Sequence, residues 1–336
     1  MCPKIAIVYN EPIGEEEAIV GVLDEVKAVH QALAELGYPV IRVPLCPPFE
    51  HVRDRLKGLE AELVFNLFEG FECCPETEAM VADILSELGI PYTGCSSASL
   101  SLALDKAKTK ALLEAAGIAT PRYQLLSPRT LSSFDLGYPC IVKPSGEDAS
   151  HGLSEESVVR DFASLGRQVA KVSKLFGGKA LVEEFVDGRE FNATILGKRE
   201  LAILPISEIV YSLPPLRPRI LTFAAKWQPY SLYFQCTKPI CPAEIGVKER
   251  EHIAQVAISV FRLVGCYGYA RVDMRLDTEG RLMVLEVNPN PDISPDSGAV
   301  RQAKVAGVGY SQFIEKIVML ALETNSSETT NSTNDS

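Results

Sequence analysis

The 336-residue sequence has no uninterrupted apolar run long enough to span a bilayer, which excludes a membrane-spanning helix on hydropathy. It has no basic excess either. Its 33 Lys and Arg stand against 44 Asp and Glu, a formal net charge of −11, so a broad nucleic-acid footprint is excluded while a local basic site for a small anion is not. Two nucleotide signatures are missing: G-x-x-x-x-G-K-[ST] does not occur and no G-x-G-x-x-G follows the first strand, so P-loop and Rossmann readings lose their main support. None of the nine cysteines forms a Cys-x-x-Cys pair, and the four histidines are scattered, which removes the usual metal and redox patterns. Cys73-Cys74, in a polar loop, reads as two incidental thiols. Met1-Cys2-Pro3-Lys4 leads straight into a strand rather than through a signal-peptide pattern, so the expected compartment is the cytoplasm, with free thiols.

What is present is alternation. Lys4 to Asn10 reads as a buried strand, Glu15 to Leu36 as a helix closed by Gly37, Tyr38 to Pro44 and Leu63 to Leu67 as strands, and Thr77 to Leu88 as a helix before a short strand at Ile90 to Thr93. Such alternation predicts a small parallel sheet with crossover helices, assigned here to residues 1–98. Ser99 to Ala116 then reads as one helix. Strand Cys140 to Lys143 runs into a small-residue loop reaching Gly152, followed by a helix over Ser157 to Ser173 and a strand over Ala180 to Phe185. A second unit is expected over 99–183 and a third over 184–322, the latter holding a proline-punctuated loop (Val210 to Pro242) and helices at Lys248 to Leu263 and Tyr310 to Leu322. The tail, 323–336, is polar with nothing to bury and is expected to be disordered.

The chemistry concentrates near the C-terminal end. Ala270 to Leu276 and Leu282 to Asn288 flank the turn Asp277-Thr278-Glu279-Gly280. A direct turn predicts Leu276 opposite Arg281, Asp273 opposite Val284 and Arg271 opposite Glu286, with Arg271, Asp273, Glu286 and Asn288 on one face and Val272, Met274, Leu285 and Val287 on the other. Two carboxylates and an amide oxygen form a hard site suited to Mg²⁺ between protein and phosphates. The other reading is a cross-strand Arg271–Glu286 pair on a solvated face, which contributes little stability. Lys143, at a strand end before a small-residue loop, is a candidate phosphate ligand.

Six motifs in order carry a resemblance: Asp105-Lys106 with Lys110, Val142-Lys143-Pro144-Ser145, Val182-Glu183-Glu184-Phe185 with Glu190, Ala225-Lys226, Arg271-Val272-Asp273, and Leu285-Glu286-Val287-Asn288. Through them the chain resembles the ATP-grasp ligases, and most closely the D-alanine–D-alanine ligase family, from the first strand to about residue 322. The resemblance implies an α/β ATP-grasp fold, with an N-terminal parallel α/β domain and two α+β subdomains enclosing ATP. It implies a cytoplasmic, ADP-forming enzyme that joins a carboxylate to an amine through an acyl phosphate. By the same resemblance Lys106 and Lys143 contact phosphates, Glu183 with the backbone of Glu184, Phe185 and Val186 holds adenine, Leu285 belongs to the nucleotide site, and Glu190 takes the ribose hydroxyls. Lys226 reaches the γ-phosphate from a lid, Asp273, Glu286 and Asn288 bind two Mg²⁺ ions (a role open to Mn²⁺), and Arg271 stabilises the oxyanion. Expected partners are ATP and small amino-acid-like substrates, with a homodimer common in the family and neither nucleic acid nor membrane involved.

The substrate clasp of that family departs here. The loop after the first strand, Tyr9 to Gly14, lacks the family's Ser-Ala-Glu motif; the loop serine aligns with Ala149, leaving Ser150 next to it as a catalytic candidate; the lid tyrosine aligns with Trp227. The family's His-Gly reads Glu69-Gly70, its oxyanion glycine aligns with Asp292, and Ser297 is kept where a substrate carboxylate binds. These departures point to a substrate pair other than two D-alanines, bulkier or more cationic. A true D-alanine–D-alanine ligase with a rebuilt clasp, and a nucleotide-binding module without turnover, are the alternatives.

Overall fold

The computed structural model describes residues 2–11, 17–71, 74–146 and 152–328. The chain opens with β1 (Ile5–Asn10), α1 (Glu17–Glu35), β2 (Val40–Leu45), α2 (Val52–Lys57), β3 (Leu63–Leu67) and α3 (Thr77–Glu87). The strands form a parallel sheet in the order β2-β1-β3. Both faces of β1 are buried, which is why its sequence is apolar without alternation. Ile5 and Ile7 pack with Val29 and Leu33 of α1, while Ala6 and Val8 pack with Val52, Leu56 and Leu85 on the other side. Ile90 to Thr93 is not a strand: only Tyr92 makes an isolated bridge, to Val64.

Next come α4 (Ser97–Leu104), α5 (Lys106–Ala115), β4 (Tyr123–Leu126), β5 (Cys140–Pro144), β6 (Val158–Val159), α6 (Phe162–Phe176) and β7 (Ala180–Glu184). The single helix expected over Ser99 to Ala116 is two helices. Asp105 breaks it, its side chain accepting a hydrogen bond from Lys108 N at 3.1 Å, so the N-capping preference of aspartate outweighs continuous helical periodicity. The same preference moves the start of α6 from Ser157 to Phe162, where Asp161 and Ser164 form a capping box. The four strands are antiparallel in the order β4-β7-β5-β6, with Leu165, Val169 and Val172 of α6 on one face. The opposite face carries Ile141, Lys143 and Glu183.

A third sheet follows, from β8 (Gly188–Gly197), β9 (Leu201–Ile203), β10 (Ser207–Tyr211), α7 (Phe223–Trp227), α8 (Leu232–Gln235), β11 (Thr237–Ile240), α9 (Val247–Leu263), β12 (Gly268–Asp277) and β13 (Leu282–Asn288). Its order is β11-β10-β8-β12-β13, with β9 against β8, and α9 covers one face through Ile253, Ala257, Val260 and Phe261. The segment expected to be a long loop thus contains two short helices and an edge strand. Finally α10 (Gly298–Val305) and α11 (Tyr310–Glu328) return to the first sheet, α11 running past Leu322; residues 329–336 of the tail lie outside the described residues. No single helix among the described residues is long and apolar enough to cross a membrane.

The hairpin register differs from the one a direct turn predicts. Leu276 pairs with Leu282 and Met274 with Val284, then the register shifts, so Asp273 pairs with Glu286 and Arg271 with Asn288. Leu285 is the extra residue of a β-bulge. Because the bulge reverses the alternation, Val284 and Val287 both enter the core while Leu285 and Glu286 both face the cleft. Leu285 is therefore not on the apolar face, and Arg271 does not face Glu286.

Candidate active site

The free faces of the second and third sheets enclose a cleft of about 1890 Å³ that continues to the ends of β1 and β3. One end is rich in lysine. Glu183 is 1% exposed, with Lys143 Nζ 3.0 Å from Oε2 and Lys110 Nζ 3.1 Å from Oε1, the latter a charge contact without hydrogen-bond alignment. Burial alone would raise the Glu183 pKa, but Lys110 and Lys143 more than offset it and hold the carboxyl below its ordinary value. Lys110, itself buried, is brought down to about 8, first by desolvation, against the pull of Glu183. Its Nζ also donates to Thr120 Oγ1 at 2.7 Å, and that hydroxyl donates to Val284 O.

The hinge from β7 to β8 crosses this end. Glu184 N donates to Arg122 O and Phe185 N to Pro139 O, whereas among the described residues nothing accepts the N–H of Val186. Val186 O accepts from Arg275 at 2.7 Å. Glu190 is buried and accepts at Oε2 from Arg275 and from Tyr211 Oη.

At the middle of the cleft the bulge sets Asp273 beside Glu286. Asp273 accepts from Arg271 Nε at 2.8 Å, from the same guanidinium at 2.9 Å and from Asn192 Nδ2 at 2.7 Å. Burial would weaken the Arg271 charge, and Asp273 overcomes this and raises its pKa. Lys106, the first residue of α5, donates to Glu286 Oε1 at 2.9 Å. The helix break at Asp105 is what starts α5 at this lysine. Asn288 lies on the same face, across from Arg271, and its Oδ1 accepts from Asn290 N at 3.3 Å. Among the described residues no three His, Cys, Asp or Glu side chains gather as a metal site; this set is two carboxylates and an amide.

The far end is acidic. Glu25 of α1 is 5% exposed and accepts from Ile293 N at 2.8 Å. Desolvation, then Asp292, then Glu69, push its pKa well above the ordinary value. Glu69 is held by its backbone N–H, which donates to Asn10 Oδ1 at 2.9 Å. The following Gly70 has φ +89°, and a Cβ there would come within 2.9 Å of Pro75 O. Ser297 N-caps α10, accepting from Val300 N at 3.3 Å. Lys226 and Trp227, both in α7, line the cleft. The indole packs against α1, where a Cβ at Gly21 would sit 3.4 Å from the ring, and among the described residues nothing accepts its buried Nε1–H.

The cleft thus gathers Lys106, Lys143, Glu183, Glu184, Phe185, Val186, Glu190, Lys226, Trp227, Arg271, Asp273, Leu285, Glu286, Asn288, Asp292 and Ser297. Ser150 lies outside the described residues, as do Ala149, Glu15 and Cys73. Sequence reading missed two residues and gave a third no role. Glu25 was signalled by its place among Val22, Val26 and Val29 on the apolar stripe of α1, and Arg275 by its alternation with Arg271 and Asp273. Lys110 was recognised only as part of a motif.

A family model described as "D-ala D-ala ligase C-terminus" matches residues 112–319. A D-alanine–D-alanine ligase of Nitrosospira multiformis is 33% identical over 323 residues, covering 95% of this chain and 96% of its own. An uncharacterized protein, y4sG, of Sinorhizobium fredii is 36% identical over 261 residues, 77% of this chain and 74% of its own. Among solved structures, the D-alanine–D-alanine ligase of Bacillus anthracis complexed with ATP aligns with a TM-score of 0.76 at 20% identity, over 97% of this chain and 100% of the other. The VanG D-Ala:D-Ser ligase of Enterococcus faecalis aligns at 0.75 and 20% identity, over 96% and 100%.

Proposed function

The chain belongs to the D-alanine–D-alanine ligase family of ATP-grasp enzymes, ATP-dependent and ADP-forming, and from that premise we propose that it joins two amino-acid-like substrates other than a pair of D-alanines. The observation that carries this is the acidic end of the cleft, where buried Glu25 sits under Asp292 and Glu69. Such a site favours a substrate that brings positive charge, since a cation nearby relieves both the desolvation and the mutual repulsion of the carboxylates. Trp227, against Gly21, adds apolar surface and an N–H that none of the described residues accepts.

In this reading three units, 1–98, 99–183 and 184–322, share the work, with ATP between the last two. The unused N–H of Val186 suits a nucleobase edge, Lys106 and Lys143 the phosphates, Leu285 the base, and Glu190 the ribose hydroxyls. Asp273, Glu286 and Asn288 fit a divalent cation because they are adjacent hard oxygen donors, with each carboxylate now neutralised by a resident cation, Arg271 or Lys106. Mg²⁺ held there would supply positive charge against the phosphates. A carboxylate oxygen of the first substrate attacks the γ-phosphorus and ADP leaves; the amine nitrogen of the second attacks the acyl carbon, phosphate leaves and the amine loses a proton. Lys226 from the α7 segment faces the transferring group, Arg271 the oxyanion, and Ser297 the second carboxylate, while closure of that segment keeps water from the acyl phosphate. Ser150 remains a candidate for substrate contact from the phosphate loop, and the protein would work in the cytoplasm.

The test is ADP release with D-alanine alone against a panel of amino-acid pairs that includes cationic side chains and amines. Turnover with some other pair exceeding that with D-alanine is expected. D-alanine turnover that matches or exceeds every pair would return the protein to the ordinary family activity.

A further inference from the structure

The Arg275 side chain donates four hydrogen bonds, and none of the motifs that identify the family includes it. It lies on β12 directly across from Glu190 on β8. Although 4% exposed, its guanidinium reaches three separate pieces of chain. Nε and Nη2 donate to Glu190 Oε2 at 3.2 and 2.6 Å, Nη1 donates to the hinge carbonyl of Val186 at 2.7 Å, and Nη2 also donates to Arg219 O, in the segment leading to α7. The plane is flanked by two rings, with the guanidinium carbon 5.3 Å from the centroid of Phe185 and 6.0 Å from that of Tyr211. Tyr211 Oη donates to Glu190 Oε2 at 2.7 Å.

The distribution over the two oxygens of Glu190 is uneven. All three donors converge on Oε2, and among the described residues none reaches Oε1, although Glu190 lines the cleft. A carboxylate gripped by one oxygen has a fixed plane, so the other oxygen is presented in one direction without an ordering cost when a ligand arrives. A lysine could not do this, because a single ammonium cannot span Glu190, the hinge carbonyl and the 219 carbonyl in one plane.

We propose that Arg275 is a positioning residue for the nucleotide: acting through Glu190, it sets the enzyme's recognition of the ribose hydroxyls, and through Val186 and Arg219 it ties the hinge to the root of the α7 segment. This rests on the reading of Glu190 as the ribose ligand. The experiment is calorimetric binding of Mg²⁺-ATP and Mg²⁺-2′,3′-dideoxy-ATP to the full chain, in wild type, Arg275→Met, Arg275→Lys, Tyr211→Phe and Glu190→Gln, with circular dichroism and melting as the check on folding. Wild type should prefer ATP by about tenfold, the scale of a hydrogen bond to a charged group. Glu190→Gln and both Arg275 variants should shrink that preference to near unity, and Arg275→Met combined with Glu190→Gln should lose no more than either alone. Tyr211→Phe, which removes one bond to the same oxygen and leaves the arginine in place, should fold normally and lose part of the preference, so the test survives a misfolded arginine variant. A preference that persists in the folded variants, Tyr211→Phe included, overturns the proposal alone. A wild type that does not distinguish the two nucleotides overturns the reading of Glu190 and the proposal with it.

Discussion

Two buried glutamates mark the ends of one cleft, and their surroundings are opposite. Glu183 lies between Lys110 and Lys143, which hold its pKa below the ordinary value; Glu25 lies under Asp292 and Glu69, and its pKa is pushed well above. The lysine-rich end meets its one buried carboxylate with two lysines, so these groups are engaged before any ligand arrives and their geometry is fixed in advance. At the acidic end three carboxylates lie within electrostatic reach of one another, and a cation that enters would relieve their repulsion. A cofactor common to many enzymes can be met by a preassembled site, whereas in the proposed reading the acidic end selects the substrate.

The sharpest way to break this comparison is to remove one partner at each end. Lys110→Met leaves Glu183 paired with Lys143 alone and should destabilise the protein, by less than the about 3–5 kcal/mol that orphaning one member of a buried pair costs. Glu25→Gln removes a carboxyl whose ionisation the fold already opposes, so stability at neutral pH should be unchanged or raised. Urea unfolding followed by fluorescence reads both, and equal losses in the two variants would erase the distinction. Glu286→Gln probes the junction between the ends: turnover should fall by roughly a hundred- to a thousandfold while ATP affinity stays within a few-fold, because the hinge contacts are untouched. Full activity with unchanged Mg²⁺-dependent ATP affinity would refute the assignment of Glu286 to the metal.

The smallest effect is a pH dependence. Glu25 holds its proton in the folded protein to a higher pH than in the unfolded chain, whose reference is 4.5. Its contribution therefore stabilises the fold most below that reference and is lost as pH rises through the raised folded value. The binding of a cationic substrate should run the other way, tightening by at most about tenfold per pH unit as Glu25 ionises. Calorimetry with the best substrate from the panel tests this: a slope in wild type that vanishes in Glu25→Gln is expected, and a flat wild-type profile would remove Glu25 from the substrate site.

The architecture was legible because it rests on patterns that a sequence carries locally: apolar strands, glycines closing helices, and lysine and acidic motifs in a fixed order. The errors arose where one side chain redirected the backbone. Asp105 and Asp161 stop or delay helices by capping, a local bond that hydrophobic periodicity does not register. Leu285 looks like any other apolar strand residue, and nothing in the alternation announces that it is unpaired. Glu25 was missed for a different reason. A charged residue on an apolar stripe reads as an exception until the return of the chain at Asp292 and Ile293, more than 260 positions away, brings its neighbours into view.

The bulge at Leu285 also has a consequence for how this hairpin tolerates change. It acts as a parity switch: the half of β13 on the turn side and the half on the cleft side are out of step by one residue, and each is in step with its own surroundings. Length changes at the tip around Glu279 need disturb only the turn. Pairing the strand residue for residue through Leu285, without the bulge, would rotate Glu286 and Asn288 into the packed interior while turning Val287 toward the cleft, whereas excision of Leu285 would leave all three on their present faces. In a lineage of such enzymes, the tip is therefore free to drift, while the facing that puts Val284 in the core and Glu286 in the cleft is as constrained as the identity of the carboxylate itself.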